Sequence, residues 1–447
     1  MYRVSDRVAY TVLSVLGGLC LMTFLVVRVP RAQGNLVLNE DGKSYFSYLR
    51  SFVFDGDLDF RNEFTQLRKE SLRTTATGLT YNGMSVGPAV LWSPFYLSSH
   101  VLSLMAHSVG VELDVDGYGL VYQSAVSVAT IMYVTVGSFL TYRVCRRYFC
   151  SWVSLVGVAG VWLASSLFHY TVGAPDMAHG VSFFAVSLFI FVWHPPRSRT
   201  YTEWILLGLS AGLMTLVRWQ NLLYVSVLAV EGIRAVNAAG GAGRRAALLQ
   251  EYAKGGLLVG ISGLFVFAPQ MVVWNTLFGL PATIPQGSDI FDWLHPSLLE
   301  YLFSMNHGFY TWTPVMLIAT LGLVFLWKRD RKVTVALLIA LLLQWYLNSA
   351  HRYWWAHGSF GARRVVSATS LLVLGLAAIT EHVANRFRRG PVVALATVAG
   401  LTIWNLLFDL QFSWGFIPRD QAISLHQLTV GKVDMVLELI GRIVPLP

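Results

Sequence analysis

Glu40, Asp41, Asp55, Asp57, Asp59 and Glu63 follow closely on the apolar run Ala9–Val27. Carboxylates held beside a bilayer face suit chemistry on a polar group attached to a lipid. Asp41, in NEDGKSY, is of the type that takes a proton from an acceptor hydroxyl while a phosphate leaves. An Asp-Gly turn, or the N-cap of an amphipathic stretch over Lys43–Phe54, accounts for the same residue without chemistry. Lys43 and Tyr45 stand beside it as candidate binding residues. Asp55, Asp57 and Asp59 alternate in DGDLD. An EF-hand loop needs Gly at position 6 and Glu at position 12. Counted from Asp55, those positions hold Phe60 and Gln66, which excludes that loop. A divalent metal on fewer carboxylates, Asp55 and Asp57, stays open beside a solvated turn.

Asp176 and His179 stand in GAPDMAHG at the mouth of a later apolar run. At i, i+3 they share one helical face. Such a pair could bind a metal, position a phosphate or assist proton transfer, with Asp176 the candidate catalytic member. An N-cap aspartate near a hydrogen-bonded histidine is the plain alternative. Arg352, Arg363 and Arg364 frame HRYWWAHGSFGARR. The guanidinium fork matches phosphate oxygens. Tyr353, Trp354 and Trp355 suit an interfacial belt or a sugar-stacking platform. Arg218, between two short apolar stretches, is costly in hydrocarbon and is expected to face a polar cavity. The long loop Asn275–His307 is rich in proline and aromatic residues, and loops of that length tend to be functional. His307 closes it and joins the binding candidates.

These groups need a scaffold. The 447-residue chain is 55% hydrophobic and 13% charged, with mean hydropathy +0.55. Ordinary soluble proteins carry about 25% charged residues. An all-α, polytopic transmembrane helical bundle follows, as a single domain over 1–410 with a short tail, 411–447. A span needs roughly 20 apolar residues. Ala9–Val27, Tyr118–Tyr142, Ser151–Phe168, Met177–Trp193, Gly255–Trp274, Gly308–Trp327, Val333–Ala350, Val365–Thr380 and Pro391–Phe408 qualify. Trp204–Val217 and Trp219–Val230 are shorter and meet at Arg218. Basic clusters at Arg143–Arg147, Arg197/Arg199, Arg234–Arg245, Lys328–Lys332 and Arg386–Arg389, with Arg3 and Arg7, mark the cytoplasmic side. They share one side only if Val86–Val109 dips into the outer face or lies along it. The count is then eleven spans, N-terminus in and C-terminus out. The carboxylates and the unusual arginines all fall outside, in loops 30–85, 275–307 and 351–364.

The net charge of +9 lies in short turns between apolar runs, the pattern of topology signals rather than of nucleic-acid binding. The start, MYRVSDR, has no obvious cleavage site and reads as a retained anchor. Three cysteines form no disulfide framework or zinc spacing. No P-loop, GxSxG elbow, HExxH or Rossmann glycine set occurs, which favours a lipid-carried donor over a soluble nucleotide.

In this order, NEDGKSYFSYLRSFVFDGDLDF, GPAVLWSPF, GAPDMAH, RWQNLL, PQGSDIF, SMNHGFYTWTP and GSFGARRV resemble the GT-C glycosyltransferases, such as protein mannosyltransferases and aminoarabinose transferases. The resemblance covers Ala9 to Phe408. It implies a polyprenyl-phosphate sugar donor, an acceptor hydroxyl on a glycan, lipid or protein, and inverting transfer on the outer face of the plasma or inner membrane. It maps the family's first-loop acid to Asp41 and its second-loop acid to Asp176. It fixes no cofactor, since a divalent metal serves only some members. The short tail departs from larger members that carry a soluble C-terminal domain. The main rival is a multi-pass transporter or lipid flippase. A transporter places polar groups near the midplane, and the spans proper are nearly free of charge.

Overall fold

The computed structural model describes residues 4–32, 36–68, 72–194 and 198–443. Arg3 and Arg197, expected at the cytoplasmic side, lie outside that set. Among the described residues the chain is helical, with two isolated β-bridges and no strand.

The helix α1 (Asp6–Thr23) starts on Ser5, whose hydroxyl accepts from the Val8 N–H. It is followed by α2 (Glu40–Arg50), α3 (Arg61–Leu67), α4 (Gly87–Ser108) and α5 (Leu120–Cys145). Asp6 pairs with Arg146, just past α5, at 2.6 Å, and Gly17 of α1 lies against Thr135 of α5. The two helices are therefore antiparallel. α1 leaves the end of the bundle to which α5 returns, so the segment between them belongs to the opposite end. The stretch expected to dip or lie flat, Val86–Val109, forms one continuous helix, α4, despite Pro94. Its Trp92 donates to Thr130 and its Tyr96 to the Gly117 carbonyl. α4 thus packs along the start of α5 and makes no net passage between the ends.

Next come α6 (Ser151–Leu163) and α7 (Ser166–Val172), bent by 67° at their junction. α8 (Ala178–Trp193), α9 (Tyr201–Val217), α10 (Ser226–Asn237) and the long α11 (Ala242–Phe278) follow. The short α12 (Leu298–Phe303) and α13 (Phe309–Trp312) lead into α14 (Pro314–Arg329), α15 (Arg331–Ser349), α16 (Thr369–Arg386) and α17 (Gly390–Ser413). The tail holds α18 (Leu425–Leu428) and α19 (Gly431–Ile443). Among the described residues seven helices are long and apolar enough to cross a bilayer, or eight if the bent pair counts as one span. α8 and α9 are shorter. Close helix approach rests on small residues, as membrane bundles require. A Cβ on Gly322 of α14 or Gly375 of α16 would strike the facing backbone.

The turns after α5, α8 and α14 converge at one end. Tyr148 donates to Asp330 at 3.1 Å, Arg147 bonds His194 at 2.9 Å, and Arg329 lies 4.9 Å over Phe149. This is the basic end. The loops after α1, α7, α9, α11 and α15 meet at the other end, around a cavity.

Candidate active site

Asp41 rides on the first turn of α2, and that turn is held from behind. Asp176, 1% exposed, accepts from the Asn39 N–H at 2.5 Å and from Asn39 Nδ2 at 2.6 Å. Burial pushes the Asp176 carboxyl above the usual carboxylate range, while the two Asn39 donors pull it down. A Cβ on Gly42 would overlap this carboxylate, so glycine is what lets α2 approach so closely. Asp176 therefore does not line the cavity. It fixes the turn that carries Asp41.

Arg218 ends α9 with an extended backbone, φ −151° and ψ 118°, which turns its side chain off the helix. Its guanidinium donates to His179 Nδ1 at 2.6 Å. Arginine has only donors, so Nδ1 is the acceptor and the His179 proton sits on Nε2. Arg363 Nη1 lies 3.0 Å from Asp41 Oδ2. Arg364 donates to the Tyr353 carbonyl at 2.7 Å.

These groups surround a cavity of about 270 Å³, which Asp41, Tyr45, His179, Arg218, Arg363 and Arg364 all line. Asp41 is the one acid among the described residues lining it, against three arginines. Tyr45 packs edge-on against Trp92, and burial pushes its hydroxyl up to about 12, so it acts as a neutral phenol. Burial, with Arg364 nearby, holds the His351 imidazole down to about 3. It too is neutral.

Other candidates lie elsewhere. Lys43 is buried against Glu40 at 2.5 Å and does not line the cavity. The Arg352 side chain is exposed, while its N–H bonds the Ile290 carbonyl at 2.9 Å. The bridge between His351 and Phe291 sets this register: His351 faces the cavity, and its neighbour points away. His307 Nε2 donates to the Arg419 carbonyl at 2.9 Å and its ring packs on Trp312, so it secures the tail rather than the cavity. Asp55 bonds Arg50 and, at 2.7 Å, Asn62. Asp57 accepts from Ser51 at 2.9 Å and from the Asp59 N–H at 3.1 Å. Both carboxylates are committed to shaping their own loop. Among the described residues no group of three or more His, Cys, Asp or Glu could hold a metal. Gln286, His351 and His357 line the cavity without having been singled out. Their only sequence signal was membership of PQGSDIF and HRYWWAHGSFGARR.

A second cavity, of about 1010 Å³, runs between α9, α10 and α11. Leu228, Gly260, Leu264 and Phe267 typify its apolar walls, and Leu222, Ile233 and Leu264 are exposed at its rim. It shares Trp219, Trp274 and Ile284 with the polar cavity, so the two lie side by side with a common wall.

No family model and no curated protein matches the sequence. Solved structures do match. ArnT from Cupriavidus metallidurans, bound to undecaprenyl phosphate, aligns at TM-score 0.50 and 14% identity, over 95% of this chain and 73% of that one. The oligosaccharyltransferase AglB from Archaeoglobus fulgidus, in complex with an inhibitory peptide and a dolichol-phosphate, aligns at TM-score 0.51 and 12% identity. That match covers 91% of this chain and 56% of AglB, so the chain spans little more than half of that relative. Architecture and alignment agree: this chain has the fold of the GT-C polytopic membrane glycosyltransferases.

Proposed function

We propose that the chain transfers a sugar from a polyprenyl-phosphate donor to an acceptor hydroxyl at the mouth end of the bundle. One observation carries this reading. A polar cavity with three guanidiniums and one carboxylate shares a wall with a large apolar cavity. The excess positive charge suits a phosphate, and the apolar cavity suits an isoprenoid tail. The lipid phosphates bound to ArnT and AglB belong to the same chemical class. The acceptor class, a glycan, lipid or protein, is left open by this geometry. Basic turns gather at the opposite end, and the positive-inside tendency supports an extracytoplasmic cavity.

The step runs as an inverting displacement. Asp41 takes the proton of the acceptor hydroxyl, and that oxygen attacks the anomeric carbon from the face opposite the phosphate. The bond from the anomeric carbon to the phosphate oxygen breaks, and polyprenyl phosphate leaves with the electron pair. Arg218, Arg363 and Arg364 stabilise the charge that develops on it. One carboxylate among three guanidiniums is not a donor set for a divalent cation, which takes several oxygen ligands.

Asp41→Asn tests the assignment. A positioned general base contributes about 10²- to 10⁴-fold, so kcat should fall by that order. Donor binding should be retained or tightened, because the substitution removes the one acid that competes for Arg363. Normal turnover by this variant removes Asp41 from the mechanism.

A further inference from the structure

The tail helix α19 divides into three faces. At 100° per residue, Lys432, Met435, Val436 and Leu439 fall on one side. Lys432 and Met435 are buried there. Val433, Leu437 and Ile440 form an adjacent flank, and all three are exposed. Asp434 and Glu438 form the next flank, also exposed. One helix thus presents a packed face, an exposed apolar flank and an exposed acidic flank in succession.

The position of α19 along the bundle identifies the apolar medium. Lys432 Nζ lies 3.9 Å over the Trp404 ring and 4.3 Å over Phe408, both on α17. At 1.5 Å per residue, those rings sit roughly 8 to 14 Å below the mouth-end terminus of α17. α17 itself exposes Val392, Leu395, Ile403 and Leu410 along its length, as a lipid-facing span does. The apolar flank of α19 continues that surface near its upper edge. Interfacial helices sit at a comparable depth, about 5–10 Å into the boundary between headgroups and acyl chains.

We propose that α19 is an interfacial membrane helix. It lies along the mouth-end leaflet with Val433, Leu437 and Ile440 in the acyl boundary and Asp434 and Glu438 in the water. Among the described residues its exposed charges are acidic, so apolar burial rather than attraction to anionic headgroups holds it. The helix also anchors the strap formed by residues 414–424. Asp420 in that strap accepts from the Gly358 N–H at 2.6 Å, beside His357 on the cavity wall. Ile423 donates to the Met305 carbonyl at 3.3 Å. A leaflet-bound α19 therefore fixes the far end of a segment that leaves α17 and borders the cavity.

Cysteine scanning tests this. Cys20 and Cys145 are buried, so Cys150→Ser leaves a background free of exposed thiols. Single variants Val433→Cys, Leu437→Cys, Asp434→Cys and Glu438→Cys are labelled with an environment-sensitive probe and placed in nanodiscs containing brominated lipid. Probes at 433 and 437 should be quenched at least roughly threefold more than those at 434 and 438, as partial burial in the leaflet requires. Replacing zwitterionic by anionic lipid should leave the pattern unchanged. Equal quenching at all four positions overturns the proposal. So does protection of 433 and 437 from water without lipid quenching, which would assign the flank to a protein partner or a second copy of the chain.

Discussion

Arginine meets carboxylate at both ends of this bundle, fully buried at one and half-buried at the other, and the two groups are built to opposite rules. At the basic end, Arg199 and Glu231 have side chains only 3% and 6% exposed. Arg199 gives Glu231 two bonds, at 2.7 and 3.1 Å, and a third goes to the Trp193 carbonyl at 2.8 Å. Glu231 also accepts from Trp193 Nε1 at 2.7 Å and from the Tyr252 hydroxyl at 3.0 Å. Charge balances charge, and the carboxylate is saturated. At the mouth end, three guanidiniums meet one carboxylate across an open cavity. Burying charge costs several kcal/mol per ion unless partners offset it. The first cluster is complete without a ligand, whereas the second is left with uncompensated positive charge. Burial of arginine alone does not separate a staple from a site; the charge balance around it does.

The contrast breaks most sharply at Glu231. Glu231→Ala strands Arg199 and should cost about 3–5 kcal/mol of stability. Thermal unfolding would show it, while the donor affinity of the folded fraction stays the same. Loss of donor affinity at unchanged stability would erase the distinction between the two clusters. Arg218→Ala should do the reverse. Losing one charge-assisted contact of about 1.5–3 kcal/mol weakens binding of polyprenyl phosphate roughly 10- to 150-fold. Stability should hold or rise, because like charges are relieved. Gly42→Ala sharpens the mouth end further, since its Cβ displaces the turn that carries Asp41. A misplaced catalytic group costs about tenfold or more, so kcat should fall with little change in donor affinity.

The smallest effect shows only in acid. Burial holds the His307 imidazole down to about 4, against 6.5 for an exposed histidine. The folded state therefore favours the neutral ring. Its contribution is complete above pH 6.5 and is lost as the pH falls from 6.5 toward 4. His307→Gln keeps a donor for the Arg419 carbonyl and removes the titrating ring. Its stability should fall less steeply than the parent's through that window, as measured by unfolding at stepped pH. An unchanged acid slope would assign the sensitivity to other groups.

The helical membrane architecture was legible because hydrocarbon leaves few options: apolar runs of spanning length must be helices, and basic turns mark a side. The sequence also supplied Asp41, Arg218, Arg363 and Arg364 as polar residues at helix ends. It could not supply the direction of each side chain. Arg352 and Arg364 share a loop, yet the bridge at His351 turns Arg352 outward. Asp41 and Asp176 looked alike as acids at helix mouths. The structure lays the second behind the first, because Gly42 admits a carboxylate where any side chain would exclude it. Asp55 and Asp57 invited a metal by their alternation, but Arg50, Asn62 and Ser51, brought near by the fold, take up their oxygens. Residues such as Gln286 and His357 carry no pattern beyond membership of those two segments and become neighbours only through loop closure.

Trp219, Trp274 and Ile284 are walls common to both cavities, and the larger cavity has exposed residues along its rim. On the proposed reading, a lipid-borne donor would approach the reacting centre from the flank, within the plane of the membrane. Its search is two-dimensional, and the spent carrier can depart by the same sideways route.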